Sequence, residues 1–594
     1  MQTASSARLA TAARTRLRRL SLIGAVLWVA VTALPAGEGP ALTPNPDAGA
    51  GADAAALTQP TLPLPYRWFF VESNLQKDGD VVDMEALCKI AHAHGYNGMV
   101  LTGMFGRIDL QKPAYFDRLA AIKRAADQNG IEIIPLVFSV GEGGDVLAHD
   151  RNLAEGFLVQ DAPFVVKNGQ AILQPDPDCR LPNGSFEQHH GDEVSGPFLQ
   201  DAPGKTSFVD EKIAHGGTVS LRFDHLDAAK NGHARIAYDL PVQPHRLYEV
   251  SYWVRTRGFG PAGALHAEII ADNGEQLALQ STGPAENSDW TEHRFLFNSL
   301  EYKKMRLYLG AWDAKQGAFW IDDCAFRAVG LNNLLRRPGA PLTVAGATDG
   351  TAYVEGKDFE PVRDPNLDFR ADHDDVPIVL TKNSRIQEGE KLKVSWYHGL
   401  AIHDDRVCIC MSEPAVYKIW ADEVKLIQAH IAPDKYLFDM DEIREAGSDP
   451  ACQARKLSLA QILGDCVTRE EGIVRAANPK AQAFIWSDML NPDRNGHAHY
   501  SLAQGDFTGA WQYIPKDIGI VSWAATAQSK ELKLFADHGF HTVAAAYYDK
   551  DDLKNCQGWL DLLKTTPGAE GIMYTTWEHN YKLFTDFGDM ISRP

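Results

Sequence analysis

Two neighbouring acids, Asp441 and Glu442, are the residues of this sequence that are best placed to do chemistry. They lie in the run FDMDEIRE (438–445), where apolar residues lead directly into acidic ones. An acidic pair at the end of a buried strand places two carboxyl groups at one edge of a sheet, where one can donate a proton and the other can stabilise positive charge. The alternative is a structural ion pair, because Arg444 is close enough in sequence to satisfy one of the acids.

Further polar and aromatic residues follow the other strands that the sequence predicts. Aromatic rings stack on the apolar faces of sugar rings, and carboxylates bind hydroxyl groups and move protons, so the two together favour glycoside hydrolysis. Any one tryptophan could instead cap the core, but the set as a whole favours a binding surface. The residues predicted to bind substrate are Glu72, His398, Arg444, Trp486, Asp488, Trp523, Tyr547, Tyr548, Trp577 and Glu578.

Three segments show the repeat that must position these residues: an amphipathic helix, then a glycine, then an apolar strand. Gly95, Gly130 and Gly539 stand where a residue in the left-handed conformation ends a helix. Each following strand is apolar on both faces, as the strands of a buried parallel sheet are. This is the βα repeat of an α/β protein. The three segments span 82–103, 116–140 and 530–549.

Apolar runs of this kind recur along the chain. Eight parallel strands with intervening helices predict a (β/α)8 TIM barrel, whose active residues come from the carboxyl ends of its strands. An open, doubly wound sheet is the alternative, but no glycine-rich dinucleotide-binding turn follows any of the runs. The predicted strands lie near residues 68, 99, 134, 437, 484, 521, 544 and 573.

An all-β insert interrupts the predicted barrel after its third strand. Between 178 and 331 the apolar residues alternate with polar ones, and turn residues recur about every 8–15 residues, which predicts a β-sandwich. The insert begins LPNGSFE (181–187) and ends FWIDDCAFRAV (319–329), and these two ends resemble those of jelly-roll carbohydrate-binding modules. The resemblance implies a structural calcium held by Glu187 and Asp322. The alternative is that both are ordinary solvent-facing carboxylates.

The acidic pair itself resembles the Asp-Glu pair that closes the fourth strand in family 20 glycoside hydrolases, the β-N-acetylhexosaminidases. The resemblance implies that Glu442 is the general acid/base and that Asp441 polarises the 2-acetamido group of the substrate, which is the nucleophile. Trp577 and Glu578 likewise resemble the sugar-binding wall of that family. The fuller family motif is H-x-G-x-D-E, and here Leu437 and Asp439 replace its histidine and glycine, so the match is to a distant relative.

Composition divides the chain into an export signal and a globular body. A basic stretch, an apolar run and small residues predict a signal peptide over 1–36, which implies a secreted or periplasmic protein; an uncleaved membrane anchor is the alternative. The predicted domains are a signal peptide over 1–36, a disordered linker over 37–63, a first part of the catalytic barrel over 64–177, the sandwich over 178–331, a connector over 332–390 and a second part of the barrel over 391–594.

The formal net charge of −20 excludes strong binding of nucleic acid, and an uncharged carbohydrate suits this body better. We expect an exported glycoside hydrolase of oligo- or polysaccharides that needs no cofactor and is not stably inserted in a membrane once its signal is cleaved. Hydrolysis proceeds either with help from the acetamido group or through a covalent sugar on Glu578 or Asp488. The third hypothesis is a glycan-binding protein without activity.

Overall fold

Eight parallel strands close into a barrel, which confirms the predicted (β/α)8 fold. In the computed structural model, residues 57–228, 233–371, 373–523 and 526–593 are described. The predicted signal peptide and most of the predicted linker lie outside these residues. The barrel strands, numbered first to eighth in chain order, are Tyr66–Val71, Gly98–Leu101, Glu132–Val137, Lys435–Phe438, Gln482–Trp486, Gly519–Ser522, Thr542–Ala545 and Ala569–Tyr574.

Helices follow all but one of the barrel strands and pack around the outside. The three glycines predicted to end helices, Gly95, Gly130 and Gly539, have φ angles of +83°, +62° and +78°, as the prediction requires. Only 3-10 turns, Asp488–Leu490 and Ala510–Gln512, join the fifth strand to the sixth. None of the helices among the described residues is long and apolar enough to cross a membrane. The barrel helices are Asp78–Ala93, Pro113–Gln128, Pro414–His430, Leu459–Ala477, Gln528–Asp537, Lys554–Leu563 and Phe584–Ile591, with short helices at Phe105–Leu110, Gly144–Leu147, Arg151–Leu153 and Pro450–Ala454.

The end of the predicted linker packs against the barrel. The amide of Gly568 donates a hydrogen bond to the carbonyl oxygen of Thr58 at 3.1 Å, and a side chain at Gly568 would collide with Leu57. The disorder predicted for 37–63 therefore does not extend to these residues. The described part of the linker is tied to the loop that precedes the eighth strand.

The insert forms the predicted β-sandwich, which lies between the third barrel strand and the helix that follows it. Two five-stranded sheets face each other across one apolar core. In sheet order, the first contains Ser288–Asn298, Leu247–Gly260, Gln316–Val329, Ser220–Phe223 and Ser207–Asp210, and the second contains Gln276–Ser281, Leu265–Ala271, Lys304–Trp312, His233–Pro241 and Phe198–Leu199; a small hairpin, His189–His190 with Glu193–Val194, precedes them, and short helices lie at Leu226–Ala228 and Ala262–Ala264.

A third, six-stranded sheet was not predicted. Its central strands, Phe157–Lys167 and Lys391–His398, pair antiparallel although more than 200 residues separate them in the chain. The first of them falls in the predicted barrel and most of the shorter strands fall in the predicted connector, because pairing between strands this far apart in the chain leaves no local signal in the sequence. The other strands are Ala352–Tyr353, Thr343–Gly346, Gln170–Leu173 and Ile378–Val379.

The sandwich and the six-stranded sheet share one apolar core. Phe157 and Trp396 of the sheet belong to the same buried cluster as Tyr252 of the sandwich. The side-chain amide of Asn298 in the sandwich donates to the carbonyl oxygen of Leu158 at 3.1 Å. The sandwich is therefore packed into the molecule rather than attached by a linker.

The two carboxylates predicted to hold calcium both bind one loop of the sandwich. Thr218 donates to Glu187 from its amide at 2.7 Å and from its hydroxyl at 2.5 Å. The amides of His215 and Gly216 donate to Asp322 Oδ2 at 2.8 and 3.2 Å, while burial raises the pKa of Asp322 to about 6. These bonds explain both residues without an ion, and calcium binding stays a prediction that melting with and without a chelator tests.

The shared core predicts how fragments of the insert behave. Residues 178–331 expressed alone lose their partners in the six-stranded sheet, so we expect a broad transition or a lower Tm in calorimetry than for residues 157–400, which contain the whole sheet. Equal, cooperative transitions in the two fragments would show that the sandwich is an independent domain.

Candidate active site

The alternation of a β-strand directs the acidic residues into the barrel mouth. Leu437 lies in the barrel lumen, whereas its neighbours Phe438 and Met440 pack in the core outside the strands. The Asp439 amide donates to the Val137 carbonyl oxygen at 2.7 Å, which extends the strand pairing beyond Phe438. Successive side chains of an extended strand point to opposite faces, so Asp439 and Asp441 lie on the same inward side as Leu437.

The loop after the third strand closes over the acidic loop. A Cβ atom on Gly141 would lie 2.2 Å from the carbonyl oxygen of Asp441, so only glycine allows the two backbones to approach. Ser139, in the same loop, forms a side-chain hydrogen bond with Asp439. The glycine thus places the third-strand loop within reach of the acids.

Five acids that influence one another electrostatically form what we call the carboxylate cluster. Asp441 is its centre: burial raises the pKa of its carboxyl well above the ordinary value, and Asp439, Asp488, Glu442 and Glu142 raise that pKa further. Burial and Glu142 raise the pKa of Asp439 to about 7, while a side-chain hydrogen bond with Asp441 opposes that rise. Carboxylates this close cannot all ionise, so the Asp439–Asp441 pair keeps a proton near neutral pH.

Asp488 supports the cluster from the end of the fifth strand and is fully buried. Its Oδ2 accepts hydrogen bonds from the amide of Glu442 at 3.0 Å and from the side-chain amide of Asn495 at 2.9 Å. Its Oδ1 has no hydrogen-bond partner. Burial raises the pKa of Asp488 to about 6, and the hydrogen bond from the Glu442 amide opposes this rise. Asp488 therefore holds a fixed position, with one buried oxygen that has no hydrogen-bond partner.

Glu442 has a different environment from that of Asp441. Its backbone is left-handed, with φ of +49°, and its Oε2 lies 2.6 Å from Arg444 Nη2 and 3.8 Å from Arg406 Nη1. Arg406 also binds Glu142, with Nε 2.6 Å from Oε1. Glu442 is thus an ion-paired carboxylate, and its left-handed backbone is a strained conformation of the kind that clusters at functional sites.

A cavity of about 930 Å³ opens beside the cluster. Glu142 and Arg406, which line it, were missed by the sequence analysis; the run GEGG after the third strand was the only local signal for Glu142, and none marked Arg406. A second ion pair, Arg107 Nε to Asp145 Oδ1 at 2.5 Å, also lies in the wall. The residues lining the cavity include Glu72, Asp439 and His579, from the ends of the first, fourth and eighth strands.

Aromatic rings cover the barrel lumen below the mouth, those of Phe70, Trp486, Trp523 and Trp577, and we call them the aromatic wall. The ring of Trp577 lies 5.0 Å from that of Phe70 and 6.2 Å from that of Trp486, and Trp523 lies 6.5 Å from Trp486 between ring centroids. Trp486 is buried, whereas Trp577 is 41% exposed. The guanidinium of Arg494 lies over Trp523 at 4.9 Å. Trp577 is the most exposed ring of the wall and can contact a ligand from solvent.

Two predicted substrate-binding residues lie away from the mouth. Tyr547 follows the seventh strand but turns outward, where it stacks on Tyr574 at 4.2 Å in the outer core. His398 is fully buried in the six-stranded sheet, with Nε2 2.9 Å from the Asn298 side chain. Each of these residues follows an apolar run in the sequence. The sequence could not show that the seventh strand ends at Ala545, before Tyr547, or that the run ending at His398 lies outside the barrel.

The remaining predicted residues surround the mouth. Tyr548 donates from its hydroxyl to the carbonyl oxygen of Trp523, and Arg444 holds Glu442 as described. Glu578 is exposed beside Trp577 and His579 on the rim. Among the described residues, two groups of three potential metal ligands converge, and neither includes a member of the carboxylate cluster.

Comparison with known proteins yields solved structures only. No family model and no curated protein matches the chain. The chitobiase of Flavobacterium johnsoniae is 9% identical, with a TM-score of 0.34, over 89% of this chain and 48% of that one. The rhamnosidase of Novosphingobium sp. PP1Y is 12% identical, with a TM-score of 0.34, over 86% of this chain and 55% of that one. The CBM22-1 xylan-binding domain of Paenibacillus barcinonensis Xyn10C is 18% identical, with a TM-score of 0.19, over 25% of this chain and 94% of that one. This chain therefore spans about half the length of the first two proteins, and the likeness concerns the fold alone.

The raised pKa of Asp441 predicts how stability depends on pH. The folded state binds this proton more tightly than the unfolded chain, whose carboxyl pKa is about 3.9. Stability is therefore lost as pH rises from that value through the raised folded pKa. Asp441→Asn removes the titrating group, so its Tm should exceed that of the wild type by a margin that grows as the pH rises above about 4.

Calorimetry at several pH values checks this expectation. The control is Asp117→Asn, which changes an exposed acid on the outer helix Pro113–Gln128, and should show no such trend. A margin that stays constant with pH, or an Asp441→Asn variant less stable at every pH, would contradict the proton on Asp441.

Proposed function

We propose that the protein is a glycoside hydrolase that cleaves O-glycosidic bonds in an oligo- or polysaccharide. The observation that carries the proposal is a cluster of carboxyl groups at a barrel mouth that also carries aromatic rings, in which burial and the neighbouring acids raise the pKa of Asp441 well above its ordinary value. Glycosidic cleavage needs one acid to protonate the leaving oxygen and one carboxylate to stabilise the oxocarbenium-like sugar. The two classes of group are both present here.

In the proposed first step, Asp441 donates its proton to the glycosidic oxygen as the bond to the sugar breaks. Burial and neighbouring carboxylates keep that proton available near neutral pH. Glu442 is partly exposed and pairs with Arg444, so it is the member of the cluster that can stabilise the developing positive charge, form a bond to the sugar or activate water, while buried Asp488 holds the Glu442 amide in place. Trp577 stacks on the ring and holds the sugar in place.

This assignment exchanges the roles that the family 20 resemblance implies. In that scheme Glu442 gives the proton and Asp441 orients an acetamido group. Here Glu442 is ion-paired with Arg444 and close to Arg406, and a carboxylate in such a pair accepts protons or stabilises charge rather than giving a proton. Acetamido assistance remains a second route, which requires Asp441 to be ionised when the substrate is bound.

We also propose that the protein works outside the cytoplasm, on the basis of the predicted signal peptide over 1–36. Glycan binding without turnover is the competing function, since an aromatic wall and carboxylates also bind sugars. The proton on Asp441 favours an enzyme, because binding alone gives no reason to bury several acids together. Activity of the purified protein on a panel of aryl glycosides and polysaccharides decides between the two.

Substitution of the two central acids should have different effects on hydrolysis. Asp441→Asn should lower kcat about 10²–10⁴-fold on natural glycosides, and much less on aryl glycosides whose leaving group needs no proton. Glu442→Gln should lower kcat about 10²–10³-fold on both kinds of substrate, because it removes charge stabilisation. The Asp117→Asn variant is the control for both. If instead Glu442→Gln shows the dependence on leaving group, Glu442 is the acid.

Substitution of the exposed Trp577 should weaken substrate binding. Trp577→Ala should raise KM about 3–10-fold, as expected for the loss of about 0.5–1.5 kcal/mol of ring stacking, while Trp577→Phe keeps a flat ring and should retain most of the affinity. Steady-state kinetics of the two variants measure this. Equal kinetics for Trp577→Ala and the wild type would show that sugars bind elsewhere in the mouth.

A further inference from the structure

Three residues bring potential metal ligands together outside the carboxylate cluster. Asp109 and His149 belong to the loops after the second and third barrel strands, and Glu423 lies in helix Pro414–His430. One ligand atom from each lies within 4.8 Å of the other two. We call these residues the Asp–His–Glu triad. They are 40 and 274 residues apart in the chain, so no sequence motif could reveal them.

The bond that His149 Nδ1 makes to the backbone directs its Nε2 towards two carboxylates. Its Nδ1 lies 3.0 Å from the carbonyl oxygen of Asp145, so Nδ1 carries the hydrogen and Nε2 carries a lone pair. That lone pair faces Asp109 Oδ1 at 2.9 Å and Glu423 Oε1 at 3.8 Å. Three electron-pair donors thus face one another, and such an arrangement needs a proton or a metal ion between them.

Glu423 supplies the second, independent observation. Its side chain is 3% exposed, and its Oε1 has no hydrogen-bond partner. A buried carboxylate oxygen without a donor is unfavourable unless a cation pairs with it. The oxygen points toward His149 Nε2, at the centre of the triad.

We propose that the Asp–His–Glu triad binds one zinc ion. Zinc takes nitrogen and oxygen ligands at about 2.0–2.2 Å in tetrahedral geometry, which places neighbouring ligand atoms about 3.4 Å apart. The separations of 2.9 and 3.8 Å lie on either side of that distance. The bond from His149 to a backbone carbonyl is the outer contact that zinc-binding histidines commonly make. Asp109 is exposed, so water can reach the fourth position.

The ion would fix one wall of the large cavity. The two loops that carry Asp109 and His149 also carry Arg107 and Asp145, whose ion pair lines that cavity. A metal joining the loops to helix Pro414–His430 would hold the wall in place. The role is structural: no member of the triad lies in the carboxylate cluster, and the inference does not depend on the proposed hydrolase activity.

Calorimetric titration of the chelator-treated full-length protein with zinc chloride tests the proposal. We expect one zinc per chain with micromolar or tighter affinity, and a Tm that rises with zinc concentration because the ion binds the folded state. Glu423→Gln and His149→Gln should each weaken binding at least about 100-fold. Circular dichroism confirms that the variants are folded, and loss of zinc binding in a folded variant supports the triad.

Two control variants separate the triad from other sites. His94 pairs with Asp589 at 2.7 Å, and no third potential ligand joins them among the described residues, so His94→Gln should bind zinc as the wild type does. Cys452→Ser changes the other convergent group, Glu155, Cys410 and Cys452, and should also keep zinc binding. No stoichiometric binding, unchanged binding in the triad variants, or loss of binding in Cys452→Ser alone would each overturn the proposal.

Discussion

The crowding of five acids at one barrel mouth is the constraint on which the rest of the site depends. Each additional buried carboxylate makes the next harder to ionise, and the result is a proton held by the Asp439–Asp441 pair. The same acids would repel one another strongly if all were charged. The arrangement therefore places a proton-donating carboxyl next to negatively charged carboxylates, which is the combination that acid-assisted cleavage of a glycosidic bond requires.

The fold holds this unfavourable group together in several ways. Inward alternation along the fourth strand brings Asp439 and Asp441 to the lumen side. Gly141 lets the third-strand loop approach the backbone of Asp441. Arg406 binds Glu142 and approaches Glu442, so it neutralises part of the charge at the edge of the cluster. The packed lumen and the outer helices stabilise the fold enough to offset the repulsion between the crowded acids.

The barrel and the sandwich could be predicted from sequence because their patterns are local. Gly95 ends a helix and the apolar run near residue 437 forms a strand, and neither signal depends on residues far away in the chain. The six-stranded sheet could not be predicted, because Phe157–Lys167 finds its partner in Lys391–His398 across the whole insert. The acids at strand ends were predictable for the same local reason. Arg406 was not, since nothing near it in sequence shows that it meets Glu142 and Glu442.

The state of Asp441 is the most direct test of this account, and infrared difference spectroscopy measures it. A protonated carboxyl and a carboxylate absorb in separate regions, so the spectrum of the wild type minus that of Asp441→Asn near neutral pH reports the form that the substitution removes. We expect loss of a protonated carboxyl band, because burial and repulsion from neighbouring acids raise the pKa of both Asp439 and Asp441. Loss of carboxylate bands alone would show that Asp441 is ionised, which would contradict its role as the proton donor.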